Sequence, residues 1–156
     1  MRSELHVGAE LDREHIRVLA RELRRHRALA HAARLLRVRD RTAAEVDARL
    51  EGAGYSRETR EQAREALARG GLLDDERVAR TRAVELARRG RGDAAIRWDL
   101  EHRGLAPEAV EAALAELEPE PERARRLGLP AAALARRGFS EDVVAFEGDL
   151  GIGYGD

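Results

Sequence analysis

The chain has 156 residues, the length of about one ordinary domain, and its 38% charged and 3% aromatic residues leave little material for a large aromatic core. It contains no cysteine, which excludes disulfides, thiolate catalysis and zinc sites with cysteine ligands, and which fits a reducing cytoplasm. It also contains no lysine, so all 29 basic residues are arginine, and they nearly balance the acids at a net charge of −1.

This near-neutral total conceals alternating blocks of charge. Arginine dominates residues 13–41, 77–103 and 123–137, which carry net charges of +7, +4 and +5. Acids dominate residues 42–76, 106–122 and 139–156, which carry −4, −6 and −5. Such blocks are typical of solvated helix faces or of basic stripes that face a polyanion or an acidic protein surface, and both interpretations stay open.

The first predicted helices extend from about residue 12 to Gly54. Apolar residues recur there at helical spacing: Ile16, Leu19 and Leu23, then Leu29, Ala32, Ala33 and Leu36. Thr42 to Glu45 match a capping box, in which the Thr42 hydroxyl accepts the Glu45 amide and the Glu45 side chain reaches back to the cap amide. The helix after this box carries Val46 and Leu50 and ends at the glycines that follow.

A corner is predicted at GGLLDDER, residues 70–77. The helix that begins after Ser56 ends at Gly70 and Gly71, because glycine tolerates the left-handed conformation common after helices. The two leucines are expected to enter the core. Asp74 is expected to cap the next helix, and Asp75 and Glu76 to place negative charge at its positive end. An EF-hand needs alternating acids over twelve residues, so this segment is interpreted as structural.

Further helices are predicted beyond the corner. A helix from about Asp75 to Arg89 precedes the turn RGRGD, and Asp93 is expected to cap a helix that ends at Gly104. Pro107 starts the next helix, since proline is favoured at the first helical position. The segment EPEPE, residues 118–122, is expected to be an extended break.

The chain repeats itself. Residues 43–56 superpose on residues 93–106 with a shift of fifty, which pairs Val46 with Ile96, Leu50 with Leu100 and Gly54 with Gly104. Leu134, Gly138 and Phe139 form a third, shorter copy. The unit is three helices, and stacked units are expected to share a core because one unit alone buries little apolar surface. Few residues separate Leu117 from Pro130, so the first helix of the third unit is expected to be truncated.

These motifs, in this order, resemble the RecX family of RecA regulators. The first repeat resembles the family over residues 28–50, with Leu36, Arg39 and the Thr42 cap in register. The family's Gly-[Tyr/Leu]-Leu-Asp-Asp motif lies at residues 71–75, its Gly-x-Gly turn ends at Gly92, and its Arg-Arg-Gly-Phe-Ser motif lies at residues 136–140. Val78 stands where the family usually has an aromatic residue.

The resemblance implies an all-α fold of tandem three-helix, helix-turn-helix-like repeats in an elongated, curved arrangement, with the third repeat truncated. We expect a mostly helical N-terminal extension over residues 1–27, repeats over residues 28–73, 74–118 and 119–148, and a flexible tail over residues 149–156. It also implies a cytoplasmic monomer that binds RecA filaments on single-stranded DNA and inhibits recombinase, ATPase and co-protease activity, with single-stranded DNA contacted only indirectly or weakly.

The residues themselves argue against catalysis. A P-loop needs a lysine, no G-x-S-x-G is present, and the five histidines lack the spacing of metal-binding motifs. We therefore expect no enzyme activity, no cofactor and no metal. No apolar run reaches the roughly 18 residues of a membrane span, and the N-terminus lacks the apolar segment of a signal peptide, so no membrane association is expected.

Three groups of residues are candidates for contact with the filament. The first is Arg88, Arg89 and Arg91 at the glycine-rich turn, which otherwise stabilise a helix C-terminus. The second is Arg97, Trp98 and Arg103, where Trp98 is either an interface anchor or packs against a neighbouring repeat. The third is Arg136 and Arg137, whose alternative is a solvated face.

Two other functions are compatible with the sequence. A helix-turn-helix-like DNA-binding protein would place one helix in the major groove, although SRETREQAREAL and PEAVEAALAEL are acid-rich and would repel phosphates. An α-helical adaptor without a nucleic-acid partner is the third possibility.

Overall fold

Residues 12–151 are described by the structure, a computed structural model, and the described part is helical with no strand. The nine helices of this part are α1 (Arg13–Val38), α2 (Ala43–Gly52), α3 (Arg57–Arg69), α4 (Asp75–Arg88), α5 (Asp93–His102), α6 (Pro107–Ala115), α7 (Glu120–Leu127), α8 (Ala131–Arg136) and α9 (Glu141–Gly151). The most extensive helix–helix contacts all lie within the successive triplets α1–α3, α4–α6 and α7–α9. The all-α class with tandem three-helix repeats is therefore confirmed.

Local sequence signals set most helix starts. Both halves of the Thr42–Glu45 capping box are present, and the side chains of Ser56 and Asp74 accept the N3 amides of α3 and α4. Gly71 has a φ of +69° and turns the chain out of α3. Gly54, Gly104 and Gly138 have φ near +80° and end the second helix of each triplet.

Each triplet encloses its own apolar core. The first is built on residues such as Ala28, Ala32, Val46, Leu50 and Leu67. The second centres on Ala79, Ala83, Ile96, Leu100 and Val110, and the third on Ala124, Leu134, Phe139 and Val143. The expectation that stacked units share one core is wrong, because each unit has its own cluster of buried apolar residues.

The joint between the first two triplets is made by the start of α2. The Thr42 hydroxyl donates to the Arg103 carbonyl at 2.7 Å, and the Ala43 amide donates to Oδ1 of Asp75 at 2.8 Å. Gly104 comes so close that a Cβ there would lie 2.5 Å from Cβ of Ala44. The repeated glycine of the second triplet thus seats against the first turn of α2.

Several local expectations differ from the structure. Helix α1 runs without a break across the predicted boundary at residues 27 and 28, so the N-terminal extension and the first repeat share one helix. Leu73 enters the core, but Leu72 is 55% exposed. Only Glu118 and Pro119 of EPEPE lie outside a helix, because Pro121 is tolerated in the first turn of α7. Residues 149–151 of the predicted tail belong to α9, and 152–156 lie outside the described residues.

Candidate partner-binding surface

The second joint, between the α4–α6 and α7–α9 triplets, repeats the geometry of the first. The Gly92 amide donates to the Arg137 carbonyl at 2.9 Å, and the Ala94 amide donates to the Gly138 carbonyl at 3.1 Å. A Cβ on Gly92 would overlap the Gly138 carbonyl, and one on Gly138 would lie 2.6 Å from Cβ of Ala95. Only glycine at position 92 permits this approach.

A buried carboxylate takes over the capping of α5. Asp93 was expected to be the cap, but it is the first helical residue, and the N-cap Gly92 has no side chain to offer. Oε1 of Glu120 accepts the Asp93 amide at 2.6 Å, and its Oε2 accepts the Ser140 amide at 3.1 Å. Glu120, 8% exposed, therefore joins the starts of α5, α7 and α9.

Arg123 completes this joint. Its side chain is 3% exposed and donates to the carbonyls of Glu118 and Arg91, both at 2.9 Å, and to the Asp93 carboxylate. Its guanidinium also lies 5.9 Å from the centre of the Phe139 ring. A buried arginine that satisfies two backbone carbonyls and a carboxylate fixes the turn before α5 against the third triplet.

An open groove of about 730 Å³ lies beside this joint. Its lining is Arg82, Leu86, Arg89, Arg91, Ala95, Trp98, Asp99 and Arg137. Four of the eight predicted contact residues, Arg89, Arg91, Trp98 and Arg137, thus come together here from two triplets. The groove exists because the joint brings the turn before α5 next to the end of α8.

The groove is basic, and its acid is already paired. Arg82 donates to both Asp99 oxygens at 2.9 and 2.8 Å, which holds the pKa of Asp99 below its usual value, with a further contribution from Arg103. Arg89 forms an ion pair with Glu85 at 2.6 Å. Four arginines line the groove against this one carboxylate, so it favours an anionic ligand.

Trp98 supplies an apolar contact at the groove. It is 61% exposed and stacks on His102 of the same helix, with the ring centres 4.0 Å apart. Trp98 is therefore not buried against a neighbouring repeat. Guanidinium groups beside an exposed indole can bind carboxylates or phosphates and anchor an apolar group next to them.

The remaining predicted contact residues lie elsewhere. Arg103 belongs to the first joint, where it bonds Glu45 at 3.0 Å and Asp99 at 3.1 Å, so its charge is used within the chain. Arg97 forms two bonds to Glu111, at 2.9 and 3.1 Å. Arg88 lines a separate hollow along α4, and Arg136 is exposed at the end of α8.

Sequence reasoning did not find Glu120 and Arg123, which lie 27 and 30 residues from the α5 start they contact. No local motif signals such partners. None of the helices described between residues 12 and 151 is long and apolar enough to cross a membrane. In the same range, the side chains of His, Asp and Glu form no group of three or more that could hold a metal ion.

Comparison with known proteins agrees with this geometry. The model of the RecX second three-helix domain matches residues 74–114, which hold α4, α5 and α6. Regulatory protein RecX of Deinococcus radiodurans is 33% identical over 141 residues, which cover 80% of this chain and 68% of that relative. This chain belongs to the RecX family.

Two mycobacterial RecX proteins are also similar. Regulatory protein RecX of Mycolicibacterium smegmatis is 36% identical over 96 residues, or 59% of this chain, and that of Mycobacterium leprae is 34% identical over 113 residues, or 70% of this chain. The matched part spans 50% and 64% of these two relatives. All three relatives are named as regulatory proteins.

Solved RecX structures share the fold. One crystal structure of regulatory protein RecX superposes with a TM-score of 0.79 at 22% identity, over 93% of this chain and 83% of the other. RecX from Lactobacillus salivarius superposes with a TM-score of 0.71 at 19% identity, over 81% of this chain and 97% of the other. At these identities the likeness supports the three-helix repeats and carries no residue roles.

Proposed function

We propose that this chain is a non-catalytic regulator that binds RecA filaments assembled on single-stranded DNA and lowers their recombinase, ATPase and co-protease activities. Membership of the RecX family supports this partner. The observation that carries the proposal is the groove between the second and third triplets, where Arg89, Arg91 and Arg137 surround the exposed Trp98. The protein acts as a monomer in the cytoplasm, with neither cofactor nor metal.

The groove suits a mixed protein surface better than a bare phosphate chain. Two of the groove arginines, Arg82 and Arg89, already form ion pairs with Asp99 and Glu85. The remaining positive charge suits a few carboxylates of a partner protein, with Trp98 making an apolar contact beside them. Neutralisation of phosphates on a single strand would give a log–log salt slope of about −0.7 per contact. We expect a shallower slope, because most contacts are with RecA protein.

The test is a titration of the purified chain against naked duplex, naked single strand and cognate RecA filament. We expect sub-stoichiometric protein to lower the DNA-dependent ATPase rate of RecA and the filament to bind most tightly. An unchanged ATPase rate at molar excess of folded protein would contradict the proposal. Equal binding to all three ligands would favour a DNA-binding protein.

A charge-reversal set locates the contact. Arg89→Glu, Arg91→Glu and Arg137→Glu together should slow association with the filament, because electrostatic attraction mainly speeds encounter. The matched control reverses three exposed arginines of the first triplet, Arg49, Arg57 and Arg69, and changes the net charge equally. If both triple variants bind at the wild-type rate across salt concentrations, the groove is solvated surface.

A further inference from the structure

Helix α1 carries a seam at heptad spacing whose N-terminal, apolar half is left exposed by the residues that the structure describes. Ile16, Leu19, Leu23, His26, Ala30 and Ala33 follow one another at alternating intervals of three and four residues, which is the spacing of the first and fourth positions of a heptad. Ile16, Leu19 and Leu23 are 53, 39 and 50% exposed. A seam of this spacing is the surface on which a second helix packs.

The N-terminal half of the seam faces away from the core of its own triplet, whereas Ala33 at its far end packs against the edge of that core. At 100° per residue, Leu23 lies about 180° around the helix from Ala32, and Ile16 about 160° from it. Ala28 and Ala32 are fully buried against α2 and α3. Because the opposite face of α1 packs inward through Ala28 and Ala32, the side chains of Ile16, Leu19 and Leu23 stay exposed.

The C-terminal half of the seam runs into a groove of about 580 Å³. Its apolar lining is Ala30, Ala33, Leu36 and Leu72. Leu72 was expected in the core, but the corner after α3 turns it outward beside α1. Arg34, Arg37 and Arg77 lie around this groove, with Asp40 as its one lining acid.

The charge of α1 restricts what can occupy the seam. The helix contains eight arginines and two glutamates, a net charge of +6. Its two glutamates make loose contacts with Arg17 and Arg25, at 3.8 and 3.9 Å on exposed side chains, so they neutralise little. Arg27 and Arg34 directly follow the seam positions 26 and 33, so they flank a partner helix.

From this arrangement we propose that the outer face of α1 docks an acidic amphipathic α-helix of a partner protein. Apolar residues of that helix pack between Ile16, Leu19 and Leu23 and reach the groove at Leu72. Its glutamates lie opposite Arg27 and Arg34. A second copy of this chain would set +6 against +6 at helix-packing distance, and aliphatic side chains offer nucleic-acid bases no stacking surface. The inference is independent of the proposed binding to RecA.

The probe is a 21-residue synthetic helix with leucine at the first and fourth heptad positions and glutamate at the flanking positions. Its control carries lysine in place of each glutamate. Fluorescence anisotropy with the full chain should give a dissociation constant on the order of 10 μM for the acidic peptide, rising with salt. The lysine peptide should bind at least tenfold more weakly.

Variants of the exposed seam locate the binding. The double variant Leu19→Gln, Leu23→Gln should bind the acidic peptide at least tenfold more weakly than wild type. Its thermal stability should not change, since the two leucines are 39 and 50% exposed. Val84→Gln, at a 40% exposed aliphatic residue of α4, is the matched control and should bind normally. Arg27→Glu with Arg34→Glu should reverse the preference toward the lysine peptide.

Four results would overturn the proposal. They are equal binding of both peptides, unchanged binding by the seam variant, concentration-dependent dimerisation through the seam, and binding of the seam to anionic lipid vesicles in preference to the acidic peptide. Analytical ultracentrifugation and co-sedimentation with phosphatidylglycerol vesicles measure the last two. Loss of RecA inhibition in the groove variants affects none of these results, so the two proposals fail separately.

Discussion

Arg123 is a buried side chain that links the two sides of the second joint. Its guanidinium is 3% exposed and serves Glu118, Arg91 and Asp93 at once. Removing it leaves the carbonyls of Glu118 and Arg91 without this donor and the half-buried Asp93 carboxylate without its counter-charge. We expect Arg123→Ala to lower the free energy of unfolding by about 3 kcal/mol, measured by urea denaturation.

The neighbouring Arg125 provides the control for this prediction. It lies on the same helix with an exposed side chain. Arg125→Ala should change the free energy of unfolding by less than about 0.5 kcal/mol. Equal losses in both variants would mean that helix propensity of α7, and not the joint, determines the effect.

Gly71 tests a purely conformational role. Its φ is +69° and an added Cβ would meet open space, so only backbone strain opposes a side chain there. Gly71→Ala should therefore lower the free energy of unfolding by about 1 kcal/mol and leave the proposed binding to RecA filaments intact in the folded protein. A variant with normal thermal stability that no longer inhibits RecA would show that the corner is functional.

Asp99 makes part of the stability depend on pH. Its pKa is lowered first by the hydrogen bonds from Arg82 and then by Arg103. A lowered folded-state pKa contributes stability above the unfolded value of about 3.9 and loses it as pH falls through the folded pKa. Asp99→Asn should cost up to about 1 kcal/mol at pH 7, and the difference from wild type should narrow at pH 3, by urea denaturation at each pH.

Residue-level rules predicted the features that depend on near neighbours. The Thr42 cap and the left-handed Gly71 each involve contacts within about four residues, and both are present. The capping of α5 by Glu120 depends on a residue 27 positions away, so the sequence pointed to the adjacent Asp93 instead. The same holds for Arg103, whose partner Glu45 belongs to another triplet.

At the scale of elements, the end of α8 contacts the start of α5, and this contact determines how the second and third triplets are oriented to each other. Gly92→Ala keeps an ordinary φ of −81° but overlaps the Gly138 carbonyl, so the joint must open. We expect helicity to persist while the α7–α9 triplet shifts relative to α4–α6. A broadened distance distribution between spin labels on these two triplets measures this shift.

Because the sequence contains no cysteine, introduced cysteines are the sole sites for thiol-reactive spin labels. Thr81→Cys on α4 and Ala145→Cys on α9 are exposed positions in otherwise thiol-free protein. Gly52→Ala is the control, since it lies at the end of α2 with nothing within 4 Å of an added Cβ. A narrow, unchanged distribution in Gly92→Ala would show that the joint tolerates the methyl group.

The sequence predicted which segments are helical better than it predicted which side of each helix is buried. Periodicity predicted a helix through Ile16, Leu19 and Leu23, and α1 includes them. That period alone does not say which side the chain covers, and these three residues turned out to lie outside the core. Leu72 is a similar case. It is adjacent to the buried Leu73, yet its own side chain is exposed.

At the scale of the whole molecule, three separate cores predict three separable units. The first two triplets have their own buried clusters and a joint of their own at Thr42 and Arg103. A chain truncated after residue 118 should therefore stay helical and unfold cooperatively, measured by circular dichroism. Loss of structure in α1–α6 would show that the third triplet supports the others.

The two joints have a mechanical consequence. Each consists of short polar contacts around a glycine, while apolar surface is enclosed within the triplets. Bending the molecule at a joint would stretch a few hydrogen bonds and expose little apolar surface. The free-energy cost of such bending should therefore be lower than that of deforming a triplet. We therefore expect any bending of the molecule to be concentrated at the two joints, so that one triplet can change its orientation to the next while each keeps its own shape.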